Sequence, residues 1–176
     1  MKFRILLFSI FIMSFFNCKS TATVAEIALL KKTILNESFE IVANSANPIA
    51  FANVRGLENL LPIGSSQSNI NLVGNQNYFR SKKDSIDFDL PFYGERHVVS
   101  SYGSDNGLKF IGTIDRKKTT FNSKKNSYDI EYWLDDQTEN LRVSITLYTN
   151  KTSILTVNSS HRSTIVYNGN WKELEK

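Results

Sequence analysis

Residues 128–134 and 141–147 form two alternating runs whose side chains match on both faces when one run folds back on the other. With Leu134 opposite Leu141, one face pairs only apolar residues: Tyr132 with Val143, Ile130 with Ile145, and Tyr128 with Leu147. The other face pairs residues that tolerate water: Trp133 with Arg142, Glu131 with Ser144, and Asp129 with Thr146. A slip of one residue would move every side chain to the wrong face, so the pattern predicts one register of an antiparallel hairpin.

The runs that follow extend this sheet. A turn at Asn150 and Lys151 predicts that Leu147 lies beside Ile154 and Ile145 beside Thr156. A further turn at Ser160 and His161 brings Ile165 and Tyr167 alongside on the same face. This arrangement leaves three apolar side chains on the opposite face, where something must cover them: Leu155, Val157 and Val166.

Shorter runs before residue 128 predict further strands, at 39–42, 86–90, 98–99, 108–114 and 119–121. The loop 103–107 ends in an Asn–Gly pair, which readily adopts the positive φ values of tight hairpins. Lys124 and Lys125 mark a second hairpin tip. Residues 44–70 contain two prolines and two glycines and predict a long surface excursion.

One amphipathic helix is predicted, at residues 21–36, with Thr23 as its N-cap and Glu26 as the capping-box partner. Its apolar face is the expected cover for the patch on the far side of the sheet. The sequence therefore predicts a mostly β (α+β) fold, in which an antiparallel sheet of residues 39–176 forms an open barrel or a sandwich. Residues 18–38 supply the N-terminal helix and its attachment.

Residues 1–17 have the layout of a removable export signal, with Lys2 and Arg4 before an apolar run at 5–16. That run is too short to cross a bilayer, which takes roughly 20 helical residues. Cys18 stands at the junction and is the expected site of a lipid anchor, which holds a protein firmly when it carries more than one acyl chain. The alternative is an ordinary secretory signal with an incidental cysteine, although residues 15–17 suit neither signal well.

The charge of the chain argues against a nucleic-acid partner. Lys2 and Arg4 account for two of the 21 basic residues, and the other basic residues nearly balance the 17 acidic ones. The lysines are scattered through predicted loops rather than gathered in one stripe. Because no acidic run follows Cys18, the expected location is the outer membrane, facing the periplasm.

No motif in the sequence predicts catalysis, a cofactor or a metal. His97 and His161 each stand next to an arginine in a predicted turn or strand end, without the spaced partners of a metal site. Asp87 and Asp89 occupy the water-facing side of a predicted strand. A nucleophile elbow and a glycine-rich phosphate loop are missing, so we expect a protein that is not an enzyme.

The aromatic residues of the sheet are expected mainly to fill its core. Trp133 is the exception because the hairpin register places it on the polar face, opposite Arg142. A cation–π pair explains that position, and so does a role at the rim of a binding surface. The candidate binding surface consists of the residues that combine exposure with aromatic or cationic character: Phe92, Tyr93, Arg96, Trp133 and Arg142.

Three segments together resemble a family of bacterial envelope lipoproteins, the domain-of-unknown-function family DUF4251. They are the run 90–94 (Leu-Pro-Phe-Tyr-Gly), Asn150 before the alternating strand 154–157, and the ending 160–169, whose arginine, tyrosine and glycine matter most. The resemblance implies a secreted or lipidated domain of the Gram-negative envelope. It implies no catalytic residues, because the family has no established activity.

The leading functional expectation is a lipid-anchored envelope protein that binds or scaffolds an unknown envelope protein without catalysing a reaction. The alternative is a carrier of a small apolar or sugar ligand inside the sheet. A cavity walled by Tyr128, Tyr132 and Phe110 would favour the carrier. A solid core with an exposed patch near Phe92, Tyr93 and Trp133 would favour the scaffold.

Overall fold

The structure, a computed structural model, describes residues 22–50, 61–98, 107–136 and 138–174. These ranges contain one helix, α1 (Val24–Asn36), and ten strands. The strands are β1 (Ser38–Pro48), β2 (Ile70–Asn71), β3 (Tyr78–Lys82), β4 (Ser85–Leu90), β5 (Leu108–Thr113), β6 (Arg116–Asn122), β7 (Ser127–Asp135), β8 (Asn140–Tyr148), β9 (Thr152–Ser159) and β10 (Ile165–Glu173).

The strands form one antiparallel sheet in the order β5-β4-β3-β1-β10-β9-β8-β7-β6, with the short β2 paired to β1. The sheet curls into a half-barrel, which confirms the predicted antiparallel fold and selects an open barrel over a sandwich. The β7–β8 hairpin has the predicted register at every pair, from Tyr128 opposite Leu147 to Leu134 opposite Leu141. The β6–β7 hairpin also forms around Lys124 and Lys125.

The predicted register between β8 and β9 is wrong by one residue. Leu147 lies opposite Ser153, and Ile145 lies opposite Leu155. The turn differs from the expected one because Lys151 takes the left-handed conformation (φ 66°), while the Asn150 side chain accepts a hydrogen bond from the Thr152 amide at 3.2 Å. This turn shifts the pairing of β8 with β9 by one position, so the side chains of β9 lie on the faces opposite to those predicted.

Because of that offset, Leu155 and Val157 point into the core and not to the opposite face. The apolar patch that α1 was expected to cover therefore does not exist in the form predicted. The helix instead packs beside β1 and contributes Leu30 to the same core, while Lys32 reaches Glu173 at the end of β10, 3.7 Å away. Its capping box, between Thr23 and Glu26, is as predicted.

A row of phenylalanines crosses four adjacent strands on the inner face of the sheet. The ring centroids of Phe39 and Phe79 are 6.4 Å apart, those of Phe79 and Phe88 are 5.7 Å apart, and those of Phe88 and Phe110 are 5.8 Å apart. Tyr132 of β7 meets this row from the other arm of the sheet, with its ring centroid 6.1 Å from that of Phe79. The interior of the half-barrel is thus filled by aromatic rings.

Two predictions about loops need correction. Residues 44–48 continue β1 instead of opening an irregular excursion, and residues 51–60 of that segment lie outside the described residues. Val98 lies in a bend and not in a strand, and the predicted hairpin loop 103–107 lies outside the described residues except for Gly107. The chain leaving β4 returns as β5, which pairs directly with β4. The predicted signal at 1–17 and Cys18 also lie outside the described residues.

Candidate functional site

Arg162, in the connection between β9 and β10, is the centre of a nearly buried polar cluster. Its Nη2 lies 3.0 Å from Oε1 of Glu139, and the two side chains are only 13% and 7% exposed. Its Nη1 donates a hydrogen bond to the carbonyl of Gly107 at 2.7 Å, and its guanidinium carbon lies 5.5 Å from the centre of the Phe92 ring. Glu139 also accepts a hydrogen bond from the Ser159 hydroxyl. Arg162 therefore connects three segments that are distant in sequence.

The segment after β4 is attached to the same connection by hydrogen bonds. The Tyr167 hydroxyl donates to the carbonyl of Pro91 at 2.8 Å, and the Ser163 hydroxyl accepts from the Glu95 amide at 2.9 Å. Gly94 is required by close packing, because a Cβ there would lie 2.6 Å from Cζ of Phe92 and closer still to the Ser163 hydroxyl. The runs 90–94 and 160–169, which carried the family resemblance, are thus packed together in space.

The phenols near this cluster are held in their neutral form. Burial raises the pKa of Tyr167, the nearby Arg162 charge opposes that rise, and Tyr93 adds to it. Burial also raises the pKa of Tyr93. A neutral phenol that donates to a carbonyl suits structural hydrogen bonding, because a general base must readily lose its proton near the working pH.

Trp133 lies on the outer face of β7 between two arginines. The guanidinium carbon of Arg116 is 3.7 Å from the indole ring centre, and that of Arg142 is 5.4 Å from it. The register explains the arrangement, because Trp133 is opposite Arg116 on β6 and opposite Arg142 on β8. Arg142 also donates to Oε2 of Glu131 at 2.9 Å. We name Arg116, Trp133 and Arg142 the outer-face triad.

The five residues of the predicted binding surface fall into two separate groups. Trp133 lies opposite Arg142 on the outer face, as the sequence predicted, and both belong to the outer-face triad. Phe92 and Tyr93 are half-buried and pack against the core, while Arg96 forms an isolated backbone bridge with Arg162. The two groups therefore lie on different sides of the sheet.

Sequence reasoning missed Arg116 and Glu139, and it named Arg162 only as the arginine of the ending 160–169 that carries the family resemblance. Arg116 could have been found by extending the hairpin around Lys124 and Lys125 to the start of β6, which places it opposite Trp133. Glu139 could have been found by extending the pairing of β8 with β9 beyond Leu141 and Ser159, which brings the two connections together.

The described residues contain no group of three or more His, Cys, Asp or Glu side chains suited to a metal ion. An open depression of about 360 Å³ lies where the bulge of β1 faces β9 and β10, and it is lined by Asn44, Ser45, Tyr148, Thr152, Ser153, Ile154, Asn168, Gly169 and Asn170. His97 and His161 meet through their backbones, with 2.8 Å between the His97 amide nitrogen and the His161 carbonyl oxygen.

The family of the chain follows from its match to a protein-family model. The model of the domain of unknown function DUF4251 matches residues 22–171. The chain belongs to the DUF4251 family. A crystal structure of a DUF4251 protein from Bacteroides eggerthii matches with a TM-score of 0.57 and 14% identity, over 86% of this chain and 90% of that one. At this identity the match reports the shared DUF4251 fold alone.

No curated protein matches this DUF4251 chain. Within the residues that the structure describes, the helix is not long and apolar enough to span a membrane.

Proposed function

We propose that this DUF4251 protein is a lipid-anchored, non-enzymatic binding module that docks a partner protein of the cell envelope on its outer-face triad. The observation that carries the proposal is the position of Trp133, which stands on the outer face of the sheet between Arg116 and Arg142. Tryptophan and arginine are the residue types most enriched among the side chains that dominate protein interfaces.

The arginines of the triad retain hydrogen-bonding capacity that a partner can use. A guanidinium has five N–H donors in a fixed planar arrangement. Arg142 is 52% exposed, and its ion pair with Glu131 engages only part of that set. Arg116 is exposed, and its guanidinium carbon lies over the indole ring. A partner bearing carboxylates would gain bidentate contacts here.

The state of the interior favours a surface role over the carrier role. Tyr132, expected to wall a cavity in a carrier, is fully buried, and its hydroxyl lies 3.1 Å from that of Ser81 on the opposite arm. Phe110 is 4% exposed and stacks on Phe88. Close-packed aromatic rings of this kind leave no room for a ligand without rearrangement.

The anchor and the location rest on the sequence. The basic start, the apolar run at 5–16 and Cys18 support export followed by lipid attachment. We place the protein at the outer membrane, facing the periplasm. A protein held at a membrane meets partners at high effective concentration, so a modest docking surface is sufficient.

Site-specific photocrosslinking in intact cells tests this proposal. A photoreactive amino acid at Ser144, on the outer face of β8 next to Arg142, should capture one discrete partner. The matched control places the same group at Asn170, an exposed position on β10. Trp133→Ala should abolish the Ser144 product, and Cys18→Ser should remove acyl labelling and reduce the product. Equal capture at both positions, or capture unchanged by Trp133→Ala, would overturn the docking role.

A further inference from the structure

Strand β6 ends the sheet and is the most exposed of the long strands. Five of its seven residues are exposed, whereas β8 on the other side of β7 buries every second residue. Only one edge of β6 is paired, to β7, in the sheet formed by the described residues. An edge strand presents unpaired N–H and C=O groups, and these groups can pair with an additional strand.

Two of the three cationic side chains of β6 are engaged by other groups of the protein. Lysine and arginine on an edge strand commonly discourage unwanted pairing. Here Arg116 lies over the Trp133 ring, and Nζ of Lys117 lies 2.7 Å from Oε1 of Glu37 and 5.7 Å from the ring centre of Tyr132. Both side chains are thereby held on the faces of the sheet and not over its edge.

The two faces beside the edge differ in chemistry. On the outer face, Arg116 and Lys118 are exposed and positively charged. On the inner face, Phe121 is 46% exposed, and its ring centroid lies 4.9 Å from that of Tyr128. Because successive side chains of a strand point to opposite faces, an added strand would meet positive charge on one side and an aromatic surface on the other.

We propose that β6 accepts an extended segment of the partner as an additional strand, with acidic residues at alternate positions facing Arg116 and Lys118 and apolar residues facing Phe121. This inference rests on the proposed docking function and specifies the chemistry of the partner. It commits to a partner and not to a second copy, because pairing β6 with itself would place its cationic outer-face residues near one another. Main-chain hydrogen bonds would supply affinity, and the alternating side chains would supply specificity.

The test uses the mature chain acylated at Cys18, in detergent micelles, and a fluorescein-labelled octapeptide of alternating Glu and Val as the probe. We expect the probe to bind and to slow hydrogen exchange at the β6 amides. A Lys-Val octapeptide should bind about tenfold more weakly, because the attraction to Arg116 and Lys118 becomes repulsion. A Glu-Val peptide with every second backbone nitrogen methylated should also bind about tenfold more weakly, because it loses the main-chain hydrogen bonds.

A charge reversal on the protein provides a matched pair of variants. Lys118→Glu should weaken binding of the Glu-Val probe about threefold, whereas Lys31→Glu, at an exposed helix position, should leave it unchanged. Absence of binding, equal binding of the methylated peptide, or protection confined to β7 and β8 would each overturn the strand-addition proposal. The proposed docking function fails separately, through the crosslinking at Ser144, so the two results distinguish the proposals.

Discussion

Two arginine–aromatic contacts in this protein share their chemistry but differ in their surroundings. Arg162 lies near Phe92 and is 13% exposed, with its charge matched by Glu139 at 7% exposure. Arg142 lies near Trp133 on the outer face and is 52% exposed. The Arg162 contact connects three segments of the chain, whereas the Arg142 contact lies on the outer face of one sheet.

The two arginines differ in what the removal of each side chain would leave unpaired. The guanidinium of Arg162 pairs with Glu139 and donates to the Gly107 carbonyl, so removing it leaves buried groups without this partner. Removing Arg142 leaves groups that water can solvate. An uncompensated buried charge is far more costly than an exposed one. We therefore expect Arg162 to stabilise the fold and propose the outer-face triad as the docking surface, and four predictions test that division.

The largest effect is expected from Arg162→Ala. The carboxylate of Glu139 would stay buried without its cation, which should lower the free energy of unfolding by about 3–5 kcal/mol. Urea denaturation followed by circular dichroism measures the loss. Replacing Glu139 by Gln in the same chain should recover part of it, because the unpaired charge is then absent. A loss below about 1 kcal/mol for Arg162→Ala would erase the distinction between the two arginines.

The buried aromatic region should also weaken at alkaline pH. Burial raises the pKa of Tyr132 to about 12 from an ordinary value of 10.0, although the hydrogen bond with Ser81 opposes the rise. The folded chain therefore keeps this proton longer than the unfolded chain. Its contribution is fully present below pH 10 and is lost as the pH rises through 12, at about 1.4 kcal/mol per pH unit.

Tyr132→Phe removes this contribution and should reduce the decline of unfolding free energy measured by urea titration between pH 10 and 12, while the raised pKa of Tyr167 keeps part of it. Trp133→Phe is the matched control on the outer face, since an indole does not titrate there, and it should keep the wild-type slope. Equal slopes in Tyr132→Phe and wild type would contradict the assignment of Tyr132 to the buried region.

Gly94→Ala leaves all charges in place and therefore tests the contact of Arg162 with Phe92 through packing alone. In Gly94→Ala the new methyl would press on Phe92, 2.6 Å from its Cζ, and on the Ser163 hydroxyl. Forcing the ring away should cost about 1–3 kcal/mol in unfolding free energy, measured in urea. The cost should be smaller in a Phe92→Leu background, where the ring atoms are gone. An additive double mutant would show that Phe92 and Gly94 are not coupled.

The outer-face contact was predictable from sequence because both faces of one hairpin had to match. The pairing of Trp133 with Arg142 followed from four apolar pairs on the inner face and three polar pairs on the outer one, all of which the structure has. Such a pattern leaves no freedom of register. The half-barrel likewise follows from repeated alternation and short turns, although alternation alone does not say whether the sheet opens or closes.

The buried contact was not predictable, for two physical reasons. Lys151 adopts the left-handed conformation in a turn that was expected to contain only two residues. This one backbone conformation shifts the pairing of β8 with β9 by one residue, so the side chains of β9 lie on the faces opposite to those predicted. Arg162, next to β10, meets Phe92 and Gly107, next to β4 and β5, and this meeting depends on the curvature of the sheet between these strands. Local patterns contain no information about that curvature, so the residue that joins the family's two motifs looked like part of a polar turn.

The smallest effect is expected from Arg142→Ala, and it separates binding from folding. Arg142 is exposed, so losing its ion pair with Glu131 and its contact with Trp133 should change the free energy of unfolding by about 0.2–1 kcal/mol in urea. The same variant should strongly reduce crosslinking of the partner at Ser144, because it removes a cation from the outer-face triad. Thr146→Ala, on the same face of β8, is the matched control and should leave crosslinking unchanged. If Arg142→Ala destabilised the chain as much as Arg162→Ala, the outer-face arginine would belong to the fold, and its spare donors would carry no argument for a docked partner.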